Sequence, residues 1–398
     1  MGSKAEETYS KHIHRYNFKF IIEEPEKIGN GINAFLVYIV RYETNLPSFT
    51  QSQNSVRRRY SDFLKLFMDL SSRYARFGHI IPTAPEKSLQ TLTKVKLGKN
   101  LEAINCEVFL EKRRGALERF LNRIGAHPVL CLDSGFKNFL EAEGDLPRTR
   151  ETAMISKEGI RRMVKDVGDH FPKMGKRSTE TDMWFEMKQT QFDNLEMQMK
   201  KLARAIDHLV LERQKLCDAC FTFSKDLTVL GQVETKSEIC VSIQALSDLE
   251  FKMGEFNQQQ WKLEFLLLGE LIKDYLGLIS SIKKCFVERA RIFKSWQRLQ
   301  GALILSREKE GKFQVQGKPE KLIIIQAEIT SISQQALENE DLYDRISENI
   351  AEEIENFESQ KSVDFKATIK RYLQCLLDQQ EQIVKCWQGF QPALLRMM

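Results

Sequence analysis

Between Val56 and Met68 three consecutive arginines, Arg57, Arg58 and Arg59, run into Tyr60 where a strand pattern gives way to a helical one. Guanidinium groups bind phosphate bidentately and stay charged at every physiological pH, and a neighbouring tyrosine can lie flat against a sugar or inositol ring. No catalytic group accompanies the cluster, so the chemistry is phosphate binding, with an inositol phosphate headgroup as the expected ligand. On charge alone the triplet reads rather as a solvated basic strand end, and it is Tyr60, the lysine after Pro85 and Arg113 that turn the reading to a headgroup pocket. Within a strand only alternate side chains share a face, so Arg58 is expected to point away from Arg59.

The elements that must position these residues are short. Residues 13–22, 33–42 and 54–60 alternate like strands, and 61–74 and 109–124 carry helical periodicity. The first 145 residues therefore read as a small sheet capped by helices. Gly29, Asn30 and Gly31 form a turn signal and lack the remaining glycines of a nucleotide loop. Six of the nine prolines lie between Pro25 and Pro147, and after Pro172 none occurs until Pro319. The proline-free stretches 173–318 and 320–391 leave room for very long helices.

From Phe192 the sequence becomes a seam. Phe192, Leu195, Met199, Leu202, Ile206, Leu209, Arg213, Leu216, Cys220, Phe223, Leu227 and Leu230 follow a 3-4 spacing, with Arg213 its polar member and a hint of partner choice. A second segment begins near Ser237 and includes Leu263 and Leu267 on its apolar face, and a third starts after Pro319. At 1.5 Å per residue, roughly 70 residues make a rod of about 100 Å. Three such rods are expected to pack as an extended antiparallel bundle, with an excess apolar face that predicts a dimer.

Between the two halves, Met154, Ile160, Met163, Val164, Val167 and Phe171 form a helical stripe flanked by Lys157, Arg161, Arg162 and Lys165. Such a basic amphipathic helix suits a bilayer interface; the plainer alternative is a linker helix docked on the protein. Rod charges Lys283, Lys284, Arg289, Arg291 and Lys294, and tip charges Arg307, Lys309, Lys312, Lys318 and Lys321, are candidates to face anionic lipid, with solvation the alternative for each.

Composition excludes several classes. The chain has 398 residues, 42% of them hydrophobic and 29% charged, enough for two or three globular domains. A net charge of +5 is too mild to call for nucleic acid by itself. No apolar run reaches the roughly 20 residues of a membrane span, and the start lacks a signal-peptide core, so a cytosolic chain is expected. Glu6 stands where an N-myristoylation pattern wants Ser or Thr. Cys217 and Cys220 have CxxC spacing inside a helical pattern with no second ligand pair, and read as buried thiols. Apart from His12 and His14 on one strand face, the histidines show no metal-ligand spacing and read as isolated residues, so neither a metal nor a cofactor is expected. Gly175 and Lys176 are not a phosphate loop, because Arg177 replaces Ser or Thr and His170 the earlier glycine. No nucleophile elbow, zinc-protease helix or kinase signature is found, and no enzyme is expected.

A family resemblance enters on four ordered motifs. Asn45-Leu46-Pro47, Val56 through Phe63, Ile81 through Ser88, and Phe109 through Phe120 followed by His127-Pro128 resemble a Phox-homology (PX) domain. Asp182 through Glu186, Phe265 through Leu271, and Lys318 through Leu322 resemble the BAR domain of the retromer-associated PX-BAR sorting nexins, of the type of sorting nexins one and two. The resemblance implies an α+β PX domain with a three-stranded sheet over 12–145 and a linker with an amphipathic helix over 146–180. An all-α BAR domain follows over 181–396, its three long antiparallel helices pairing into a dimeric six-helix bundle.

Carried over by position, the resemblance gives Arg59 the 3-phosphate, Tyr60 the underside of the inositol ring, Lys87 the 1-phosphate and Arg113 the 4- and 5-hydroxyls. It implies binding to 3-phosphoinositide membranes and dimerisation with itself or another PX-BAR sorting nexin. It also implies work with the retromer cargo-selective trimer in retrograde transport from early endosome membranes. Thr83 and Ala84 stand where relatives often carry prolines, and partner contacts through the long acidic arm that usually precedes this domain are not expected. Two rivals stay open at this point: a coiled-coil scaffold whose PX-like domain binds protein, which predicts liposome binding indifferent to Arg59, and a nucleic-acid binder, which predicts steep salt dependence with DNA or RNA.

Overall fold

The computed structural model describes residues 17–29, 35–83, 103–144, 146 and 183–395. Strand β3 (Phe35–Thr44) is the hub of an antiparallel sheet. On one edge it pairs with β1 (Phe18–Ile22) and then β2 (Glu26–Ile28); on the other it pairs with β4 (Gln53–Arg59). Between the Ile22–Val40 and Glu26–Val37 pairs, three residues face two, which is a bulge placed at Pro25, a residue with no N–H to give the ladder. The three expected strands are therefore present, and β2, between the turn signals Pro25 and Gly29, adds a short fourth that the sequence did not announce.

Helices α1 (Tyr60–Tyr74), α2 (Ala103–Ala126) and α3 (Ser134–Glu141) cover the sheet. Their apolar faces close a core of Phe20, Tyr38, Val40, Phe63, Leu117, Phe120, Phe136 and Phe139. Aromatic edges fill it: Phe63 meets Phe139 at 5.0 Å and Phe18 meets Phe49 at 5.3 Å, both edge-on. Gly125 lets α2 approach β1, since a Cβ there would lie 2.7 Å from that of Phe18.

The remainder is helical: α4 (Met183–Val233), α5 (Ser237–Leu263), a π turn (Glu264–Gly269), α6 (Glu270–Val315) and α7 (Pro319–Leu395). Pro319 sits at the first helical position of α7, where the missing N–H costs nothing. Partner numbers fall along one helix as they rise along the next, so neighbours run antiparallel. Cys217 bonds Gly254 and Ser224 bonds Ser247 between α4 and α5; Arg289 bonds Ser347 and Gln326 bonds Glu310 between α6 and α7.

The chain forms two compact units. The first comprises Met1–Cys106, Arg113–Phe192 and Gly277–Glu358, and so joins the sheet domain to the adjoining part of the helices. The second comprises Glu107–Lys112, Asp193–Leu276 and Ser359–Met398.

In the first unit Arg289 is buried between the rings of Phe185 (3.5 Å) and Tyr343 (4.6 Å), and Lys283 is also buried. These two are core residues rather than the lipid-facing charges expected, because their helix turns them onto its neighbours. Arg291 and Lys294 stay exposed, as do Arg307, Lys309 and Lys312 on α6.

In the second unit the expected seam splits. Phe192 closes the first unit, and Met199, Ile206 and Cys217 are buried here, whereas Leu202, Leu209, Leu216, Phe223 and Leu230, seven residues apart, are 41% to 54% exposed. Arg213 is satisfied within its own chain by a 3.1 Å ion pair with Glu264, which also accepts from Gln260 and Tyr372. Its polarity thus serves the internal bundle and gives no sign of partner choice. Trp261 and Glu264 take the buried face where Leu263 and Leu267 were expected, and both leucines are half-buried beside the π turn.

Candidate phosphoinositide site

Arg59 ends β4 and caps α1. Its backbone is extended (φ −88°, ψ 158°), and its N–H donates to the Asp62 carboxylate at 2.7 Å, which fixes the corner at which the chain turns from strand to helix. Burial pushes the Asp62 carboxyl up; the backbone hydrogen bond from Arg59 and the charges of Arg58 and Arg59 pull against it. The Asp62 carboxylate is thus engaged in holding the turn.

From that corner the Arg59 guanidinium lies over the Phe35 ring, 3.7 Å from its centroid. Tyr60, next in the chain, has its ring beneath the Arg113 guanidinium at 4.8 Å, and Arg113 reaches it from α2. Arg113 is 3% exposed; burial raises the pKa of the Tyr38 hydroxyl and the nearby charge of Arg113 draws it back. Arg59 and Tyr60 are thus neighbours at this corner and Arg113 reaches the Tyr60 ring from α2, each guanidinium lying over an aromatic face.

Lys87 lies outside the described residues, as do Ile160, Met163, Val164, Val167 and Phe171 and their basic neighbours Arg161, Arg162 and Lys165. His12, His14 and His170 lie outside them as well.

Arg58 faces the other way. It is 1% exposed and donates to the carbonyls of Phe139 (2.7 Å), Ala142 (2.6 Å), Gly144 (3.1 Å) and Arg57 (2.8 Å). Its task is to close the C-terminus of α3 onto β4. Arg57 is exposed and pairs with Glu26.

The chain, so folded, matches known proteins along almost its whole length. A family model for the PX domain covers residues 46–143, and one described as Vps5 C terminal like covers 160–393. Sorting nexin-1 of Rattus norvegicus is 38% identical over 371 residues, 93% of this chain and 70% of that protein. The chain belongs to the PX-BAR sorting nexins. Sorting nexin-2 of Bos taurus is 37% identical over 377 residues, 95% of this chain and 72% of that protein. In fold, the cryo-EM structure of the SNX-BAR Mvp1 tetramer superposes with a TM-score of 0.61 at 19% identity, covering 92% of this chain and 99% of that one. This sorting nexin carries no helix, among the described residues, long and apolar enough to cross a membrane.

Sequence reasoning missed one cluster. His79 and His127, read as isolated histidines, both lie against Glu353 of α7, at 3.0 and 2.6 Å. Nothing in the spacing of positions 79, 127 and 353 signals this, because the three come from separate elements. Cys217 is a buried thiol donating to the Gly254 carbonyl, and burial pushes its pKa up to about 11.

Proposed function

We propose that this sorting nexin is a peripheral, non-catalytic protein that binds 3-phosphoinositides on the cytosolic face of early endosomes. Combining lipid identity with membrane curvature, it acts in retromer-type retrograde transport to the Golgi. The observation that carries this reading is the corner of Arg59, Tyr60 and Arg113. One cation there lies over Phe35 and another over Tyr60, at a turn held by Asp62, and no catalytic motif accompanies them in the sequence. Lys87 would add the fourth contact. Charge-assisted hydrogen bonds contribute about 1.5 to 3 kcal/mol each. Contacts from three such cations, with the ring of Tyr60 beneath the inositol, suit a headgroup site of modest affinity.

Dimerisation supports the curvature part. The exposed stripe Leu202, Leu209, Leu216, Phe223 and Leu230 on α4 has the heptad period of a helical interface. On α7, Ile369, Leu373 and Leu377 line a groove of about 480 Å³ with Lys366 and Lys370. A second PX-BAR chain, identical or related, is the partner that such surfaces fit. Doubling the headgroup site, with Ile160, Met163, Val164, Val167 and Phe171 as an amphipathic anchor and Arg307, Lys309 and Lys312 near the surface, gives avidity beyond any single contact. The domain boundaries follow the proposed division into 12–145, 146–180 and 181–396, and the retromer cargo-selective trimer is the proposed cargo adaptor.

Flotation with liposomes of defined lipid and diameter tests the reading. Wild type should float with PtdIns3P vesicles and Arg59→Gln should not. Equal flotation of the two would favour a scaffold whose PX domain binds protein.

A further inference from the structure

Residues 77–83 leave the sheet domain and lie along two long helices, within the first unit. The contacts are regular. Asn349 Nδ2 donates to the Phe77 carbonyl (2.8 Å), Cys285 Sγ to that of His79 (3.5 Å) and Ser281 Oγ to that of Ile81 (2.8 Å). Gly277, one further turn back on α6, meets Thr83 so closely that a Cβ would collide with the threonine hydroxyl. Alternate carbonyls of an extended chain recur about every 6.6 Å and every fourth residue of a helix about every 6 Å, so strap and helix stay in register. Gly78 enters this groove with φ +90°, and a Cβ there would sit 2.9 Å from the Ile346 carbonyl oxygen. Both the conformation and the space demand glycine.

Glu353 closes the strap from α7. One carboxylate oxygen accepts from His79 Nδ1 and from His127 Nε2, tying the strap and the end of α2 to the same atom. His127 Nδ1 accepts the backbone N–H groups of Val129 and Leu130 at 3.1 and 3.2 Å, so the ring carries its proton on Nε2, directed at Glu353. Among the described residues these three side chains are also a group close enough to share a metal ion. Zinc at His127 Nε2 would need the lone pair of that nitrogen. Freeing it means moving the proton to Nδ1 and breaking both backbone hydrogen bonds. The cluster is built as hydrogen-bond donors on a carboxylate.

We propose that Glu353 is a positioning residue: through His79 and His127 it locks the headgroup-binding domain onto the helical bundle, so that lipid recognition and curvature recognition act on a membrane as one rigid reading. The proposal rests on the phosphoinositide reading above, and it extends that reading to the angle at which the site is presented. The locked strap ends at Thr83, four residues before Lys87 in the chain. A fixed strap thus sets where the segment carrying the fourth expected contact begins.

The test uses the full chain as wild type, Glu353→Ala, Glu353→Gln and, as an independent break in the same strap, Ser281→Ala with Asn349→Ala. Amide hydrogen exchange of residues 77–83 reads the lock without any lipid. Protection should fall at least tenfold in Glu353→Ala and in the double variant, and return largely in Glu353→Gln, whose carboxamide oxygen still accepts from both rings. Soluble short-chain PtdIns3P should bind all variants within twofold of wild type. The ratio of binding to PtdIns3P vesicles of narrow and wide diameter should collapse towards one in the unlocked variants. Unchanged exchange in Glu353→Ala overturns the lock, as does an unchanged diameter ratio alongside lost protection. Submicromolar Zn²⁺ binding by wild type that is lost with Glu353→Ala would overturn it in favour of a metal site. Failure of soluble PtdIns3P to bind wild type would instead sink the headgroup reading, with the exchange result still judging the lock.

Discussion

Arg58 and Arg59 are neighbours in the chain with opposite fates: Arg58 is buried against the carbonyls that end α3, and Arg59 lies over Phe35 at the corner with Tyr60. Strand alternation alone separates them. Arg58→Ala removes a guanidinium and orphans acceptors at Phe139, Ala142 and Gly144, which costs about 3 to 5 kcal/mol. Arg59→Gln gives up the contact with the Phe35 ring and should cost only about 0.5 to 1 kcal/mol, while vesicle binding falls at least tenfold. Urea unfolding beside flotation separates the two. Equal destabilisation by both substitutions would contradict the division of labour.

On α4 the exposed leucines carry the next expectation. Each buries on the order of 1.5 to 3 kcal/mol of apolar side chain if a second chain covers it. Leu209→Asp with Leu216→Asp should convert a dimer to a monomer and weaken association at least about 100-fold, without loss of helical signal. Sedimentation equilibrium reads the mass directly, and a wild type that stays monomeric at high micromolar concentration would remove the basis for curvature sensing.

How much of this was legible follows from where each signal resides. The strand-to-helix corner at Arg59 and Tyr60 was readable from the local change of period, whereas the contact of Arg113 with Tyr60 follows from packing of α2. That Arg58 faces away from Arg59 was readable from strand alternation, though not its burial or its role in closing α3. The heptad seam showed a long apolar helix, but period alone does not say which half of a double stripe its own bundle covers. Leu216 and Cys217 are adjacent, and only packing against α5 decides that Cys217 goes inside. Arg213, Lys283 and Arg289 misled for a related reason: a charge on a helix looks solvated until its partner, a carboxylate or an aromatic face far along the chain, is known. Glu353 and its two histidines lie furthest beyond reach, separated by more than 220 residues in sequence.

The Arg213–Glu264 pair gives a prediction in the second unit. Glu264 is fully buried and takes hydrogen bonds from Arg213, Gln260 and Tyr372 at the π turn. Removing one partner leaves the other charge in the bundle uncompensated, whereas replacing both by apolar side chains of similar volume removes the desolvation cost with the attraction. Arg213→Met should therefore cost about 3 to 5 kcal/mol, and Arg213→Met with Glu264→Leu should recover most of it. A double-mutant cycle in urea gives the coupling; additive losses would show that the pair does not act as a unit.

Glu353 should give acid unfolding a marked signature. Burial opposes its ionisation, but the hydrogen bonds from His127 and His79 prevail and hold the carboxyl at about 2, against an ordinary value of 4.5. Its other titratable neighbour is Cys285 on α6, whose thiol is pushed up by burial and by the charge of Glu353 itself. Because the folded value is depressed, the stabilisation is present in full above about pH 5 and drains away as pH falls towards 2. At one pKa unit per about 1.4 kcal/mol, the full effect is on the order of 3 kcal/mol. Glu353→Gln has no such proton to take up. Between pH 5 and pH 3 wild type should lose stability faster than the variant, by about half of that amount, and the two curves should run parallel above pH 6. Urea midpoints at matched ionic strength measure it, and parallel curves throughout would mean that the carboxylate is not held by the histidines in solution.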